Sequence, residues 1–146
     1  MLSRPLLAGL VLAAALLTGC SPTARLVGKW ETDMDQAKAQ MDKSGNPLTG
    51  ALLSGFLSAM KVEAEFKADG TCTIGGRILD YSTSNSATWR YVKSEGNVLV
   101  LMIKGNKNAD EKELRLSFVD NDHFEMMSRD GKGGGQNLPF KRVTSN

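Results

Sequence analysis

Short runs of alternating apolar and polar residues, separated by turn-forming residues, recur along most of the chain. "KVEAEFKA" sets Val62, Ala64 and Phe66 against Glu63, Glu65 and Lys67, the two-residue period of a strand with one buried face. Asp69-Gly70 supplies a hairpin turn into "TCTI". "SATWRYV" places Ala87, Trp89 and Tyr91 on one face and Thr88 and Arg90 on the other. After the turn "SEGN", "VLVLMIK" is apolar on both faces, so it is central or covered. "KELRLSFV" alternates again, with Leu114, Leu116 and Phe118 inward. "HFEMMS" follows the turn at 120–122, and "LPFKRV" closes the domain. With "RLVGKWE" at the start, this makes about eight strands joined by hairpin-length turns. Only antiparallel strands are linked so tightly, and a closed up-and-down barrel leaves no sticky edges. The expected fold is all-β: an eight-stranded antiparallel barrel with a small helical insert.

That insert, residues 33–60, lies between the first and second strands and reads as a helix-turn-helix. "DMDQAKAQMDK" is polar and rich in helix formers, with Asp33 and Asp35 near its positive end. Asn46-Pro47 offers a cap and a helix-starting proline for a second helix running to about Met60. Leu48, Leu52, Leu53, Phe56, Leu57 and Met60 cover about half its circumference, and no charge occurs between Lys43 and Lys61. Such a helix requires burial on most sides.

The chain opens differently. Arg4 precedes an uncharged apolar run from Leu6 to Leu17, the layout of an export signal and too short to span a bilayer comfortably. Leu17-Thr18-Gly19-Cys20 resembles the lipobox of bacterial lipoproteins. The resemblance implies removal of residues 1–19 and attachment of acyl chains, palmitate among them, to Cys20. Each buried CH₂ contributes roughly 0.8 kcal/mol, so several chains together hold stably to a membrane. An ordinary signal peptide with a cysteine near its cleavage site is the alternative. Ser21 stands where diderm lipoproteins kept at the inner membrane commonly carry aspartate, which directs the expectation to the periplasmic face of the outer membrane. Residues 20–25 would be the lipidated cysteine and a short tether, and 26–146 the domain.

Composition narrows the function classes. Of 18 basic and 16 acidic side chains, only Arg4 falls in the signal, so the remaining balance is near neutral and argues against nucleic-acid binding. With Cys20 consumed by lipid, Cys72 has no intramolecular partner, and a buried apolar role suits it better than a reactive one. The single histidine, His123, has no partner motif for hydrolysis or metal binding. "GNKNADE" carries Asn106, Asn108 and Asp110 but lacks the glycine and distant glutamate of a calcium loop. "SRDGKGGGQN" has no strand-to-helix context for a phosphate loop. No enzyme activity, cofactor or metal is expected.

Two ends of the domain carry a more specific signal. Gly28-Lys29-Trp30 resembles the G-x-W motif on the first strand of lipocalin-like barrels, and Arg142 is similar to the late arginine that packs across that tryptophan. The resemblance implies barrel closure by Gly28, Trp30 and Arg142, and an interior cup for a small hydrophobic molecule or lipid. Inward faces then nominate Val62, Phe66, Ile74, Trp89, Tyr91, Leu114, Leu116 and Phe124 as lining, with Leu52, Phe56 and Met60 as a lid. The chain lacks the lipocalin disulfide and C-terminal helix, and its insert is closer to the lid of fatty-acid-binding proteins. The other reading is a barrel filled by its own side chains, acting as a structural, inhibitory or protein-interaction module of the cell envelope. Its contact surfaces would be the 105–111 tip and the glycine-rich loop 131–135.

Overall fold

A computed structural model describes residues 21–43, 60–78, 81–106, 110–127 and 137–144. Eight strands run in order β1 (Gly28–Thr32), β2 (Met60–Phe66), β3 (Thr71–Ile78), β4 (Tyr81–Glu95), β5 (Val98–Gly105), β6 (Glu111–Phe118), β7 (His123–Met126) and β8 (Leu138–Arg142). Each pairs antiparallel with its neighbour, and β1 pairs with β8, so the sheet closes into a barrel. One helix, α1 (Met34–Lys43), follows β1. The second helix expected at 47–60 lies outside the described residues, except that Met60 opens β2. Met60 is therefore a strand residue, because it continues the inward alternation of Val62, Ala64 and Phe66 and pairs with Ile78.

Up-and-down connectivity gives the barrel two ends. The lower end gathers the N-terminal turn at 21–27, the β2–β3, β4–β5 and β6–β7 turns, and the chain after Arg142. The upper end receives the remaining connections. Inward residues of the lower half are closed to solvent: Trp30, Phe66, Leu99, Leu101, Leu116, Phe118, Phe124 and Phe140 are each at most 2% exposed. Burying such a side chain contributes roughly 1.5–3 kcal/mol, so this half carries much of the stability. Its aromatics form one cluster, with Trp30 edge-on to Phe124 at 4.6 Å and Phe124 stacked on Phe140 at 5.1 Å.

The lower end is sealed by the chain termini of the barrel. Arg142 lies over the Trp30 ring at 4.3 Å. Its guanidinium donates to the carbonyls of Val27 and Arg25, to Asn121 O, and to Asp122 Oδ1 at 3.0 Å. Trp30 Nε1 donates to Leu26 O at 2.8 Å, which folds the N-terminal turn beneath the barrel. A second cation, Arg25, covers Phe118 at 4.2 Å. Gly28 makes the approach possible: its φ is +138°, and a Cβ there would sit 2.7 Å from Arg142 Nη1. A side chain at 28 would be strained twice, by backbone and by contact.

Helix α1 starts at Asp33, which is buried and accepts the Gln36 amide on Oδ1 at 3.1 Å. Gln40 donates to Glu125 at 2.9 Å, and Glu125 pairs in register with Pro139 on the face opposite Phe124 and Phe140. α1 therefore lies on the outer wall at β7–β8 and does not cross the mouth.

Replacing Arg142 by alanine removes the indole stack and several bonds to otherwise unpaired carbonyls. Urea unfolding should show a loss of about 3 kcal/mol. Arg142→Lys should recover little of it, because an ammonium cannot spread donors across four acceptors.

Candidate functional site

The inward residues of the upper half differ from those below. Val62, Ile74, Ile103, Leu114, Met126 and Leu138 pack against the core but are only partly buried. They face inward because they share alternation phase with the buried set: Val62 with Ala64, Ile74 with Cys72, Ile103 with Leu101 and Leu114 with Leu116. Together they give the upper interior an apolar face less closed to solvent than the base, the candidate cup. Thr32, 3% exposed, stands at its edge, and its hydroxyl both donates to Val62 O and accepts from Val62 N. That pairing satisfies the buried hydroxyl without help from solvent.

The eight nominated lining residues thus separate. Val62, Ile74 and Leu114 lie in the cup, whereas Phe66, Leu116 and Phe124 belong to the filled base. Trp89 stands edge-on to Phe66 at 6.1 Å and donates to Thr71 O at 3.0 Å, so it belongs beside the β2–β3 turn. Tyr91 keeps the phase of Ala87 and Trp89, opposite the inward Leu101, but it is 40% exposed beside the register shift between Tyr91 and Lys93. Met60 sits at the mouth on the inward side of β2, while Leu52 and Phe56 lie outside the described residues. So does the loop 131–135 and, within the 105–111 tip, Asn108.

Three cup residues escaped the sequence reading. Ile103 lies in a run apolar on both faces, which gives alternation no phase. Met126 and Leu138 are register partners next to a long connection, and only the pairing of β7 with β8 reveals their shared direction.

A second concavity lies on the outer wall. It is a groove of about 360 Å³ across β1–β4, lined by Lys29, Glu31, Lys61, Glu65, Arg77 and Ser84, among others. Glycine and serine create it: Gly75 opposes Ser84 on the outer face, so the floor has almost no side chain between taller neighbours. A Cβ on Gly75 would meet Thr83 O at 3.0 Å. Lys61 bridges Glu31 at 2.6 Å and Glu63 at 3.3 Å. The Glu31 hydrogen bond raises the Lys61 pKa most, against an opposing effect of burial. Glu63 and Glu65, neighbours on one strand face, are thus part of a mixed-charge surface and not an isolated acid pair.

His123 Nδ1 lies 2.9 Å from Asp120 at the β6–β7 turn, whose carboxylate is held below its usual range first by the Asp122 amide and then by His123. Among the described residues no group of three or more potential metal ligands is brought together. Cys72 is 1% exposed inside the core.

The geometry defines a closed eight-stranded antiparallel barrel with a filled lower half, partly buried apolar residues above it and a charged groove outside. Such a barrel is compatible with a lipocalin-like fold. Comparison with known proteins gives no match to any family model, curated protein or solved structure.

Burial pushes the Cys72 thiol above its ordinary pKa. The reactive thiolate is therefore scarce below that raised value and appears only as pH climbs through it. At pH about 8, iodoacetamide should label Cys72 rapidly in urea and slowly in the folded chain. Equal rates would place the thiol at the surface.

Proposed function

We propose that this chain is a lipocalin-like lipoprotein, anchored to the outer membrane through Cys20, whose upper cup binds a small hydrophobic molecule such as an acyl chain. The observation that carries the reading is the burial contrast within one barrel. Inward apolar residues are closed at the lower end and half-open at the upper end. A barrel serving only as a solid spacer gains nothing from leaving Val62, Ile74, Ile103 and Leu114 partly exposed, since each exposed apolar surface costs stability.

The tether fits this direction. The N-terminal turn that follows Cys20 lies at the lower end, so an anchored barrel would present its cup away from the bilayer. A depth limited by Phe66, Leu116 and Phe124 suits the end of a chain and not a bulky ring system.

A second reading, the protein-interaction module, is favoured by the outer groove. Its mixed charges and hydroxyls suit a polypeptide surface better than a lipid.

Laurate titration followed by methyl NMR separates the two. Laurate should shift the methyls of Val62, Ile74, Ile103 and Leu114 and leave Leu99 and Leu116 nearly unmoved. Ile103→Glu should weaken binding roughly tenfold or more by placing a charge in the apolar site. Shifts confined to the outer wall, or none, would contradict the cup. The anchor has its own readout: the Cys20→Ala chain should leave the membrane fraction, and retention there would contradict it.

A further inference from the structure

β4 is fifteen residues long and no neighbour spans all of it. Its Tyr81–Thr88 half pairs with β3, and its Ala87–Glu95 half pairs with β5. Each half therefore has one edge without a strand partner among the described residues. The two edges are treated very differently. The lower one carries Arg90, Lys93 and Glu95 and a register shift at Tyr91/Lys93, the charges and irregularity that keep foreign strands from pairing. The upper one reads Tyr-Ser-Thr-Ser-Asn-Ser, with no charge, no proline and an uninterrupted register to β3. All six residues are exposed, and Tyr81 is 78% exposed.

We propose that Tyr81–Ser86 is a docking edge, to which a partner protein adds an extended segment as a strand. Backbone hydrogen bonds would supply the attachment, and alternate side chains the specificity. The surroundings define the chemistry of that segment. On the outer face, Arg77 stands beside Ser82 in register and Lys104 beside Thr88, so two exposed cations flank the edge. Neither forms an ion pair among the described residues. Side chains of the added strand that point outward are therefore acidic. Those pointing inward share the face of Tyr81, Thr83 and Asn85, the last in register with Ile74, and are uncharged. A second copy of this chain fits less well, because its own Tyr81–Ser86 edge is uncharged and arrives with the same two flanking cations.

This inference does not rest on the acyl-chain reading, and its test is independent. The probes are two synthetic peptides, one alternating glutamate with valine and one alternating lysine with valine. The glutamate peptide should slow amide exchange within Tyr81–Ser86, and the lysine peptide should bind about tenfold more weakly. Ser84→Lys places a charge on the edge at an exposed site; it should abolish the protection and leave the thermal midpoint unchanged. Ile103→Glu, which disables the cup, should leave the edge amides protected. Equal binding of both peptides, protection elsewhere, or unchanged binding by Ser84→Lys would overturn the proposal. Protection that rises with protein concentration alone would overturn it too, assigning the edge to a second copy.

Discussion

The stack of the Arg142 guanidinium on the Trp30 indole joins two strands that no turn connects. Every other neighbouring pair in the barrel follows directly in sequence, while β1 and β8 lie at opposite ends of the domain. Their ladder has only three register pairs, Trp30–Arg142, Glu31–Lys141 and Thr32–Phe140. Single backbone bonds extend it at each side, from Asp33 N to Pro139 O and from Val143 N to Lys29 O, both 2.9 Å. So short a seam must offset the entropy of closing nearly the whole domain into a ring. Arg142 supplies what the ladder lacks, since one side chain ties the last strand to the N-terminal turn, the β6–β7 turn and the core tryptophan.

Closure at the lower end has consequences for the upper end. Aromatic packing is concentrated around Trp30, so the base is dense and fixes strand directions. With stability concentrated there, the inward aliphatic residues above can remain partly open. The outer wall follows the same economy. Its groove exists because β3 and β4 approach through Gly75 and small hydroxyl side chains, with cross-strand backbone bonds in place of packing. The groove thus lies where the barrel does without large side chains.

Much of this was legible in the sequence, for identifiable reasons. Two-residue alternation in "KVEAEFKA" and "KELRLSFV" located β2 and β6, and Trp30 with Arg142 marked the seam. The extent of β3 and β4 was not legible. "GGRILDYSTSNS" has the glycine and serine content of a loop, yet most of it is a paired two-stranded arm. Its strands are set by the ladder and by close backbone approach, neither of which leaves a hydrophobic pattern. The exposure of Tyr91 was not legible either, since the register shift just beyond it leaves no mark in the alternation. The groove had no signal at all, because a concavity made by absent side chains depends on which strands become neighbours.

Native-state hydrogen exchange at the seam tests the central claim most directly. If the Trp30–Arg142 closure holds the barrel together, the amides of Glu31, Asp33 and Val143 should exchange only through global unfolding. They should then share one opening free energy with those of Leu99 and Leu116, and Arg142→Ala should lower all of them by the same amount. Seam amides that open at much lower free energy than the β5–β6 core, with the core unaffected by Arg142→Ala, would contradict the account.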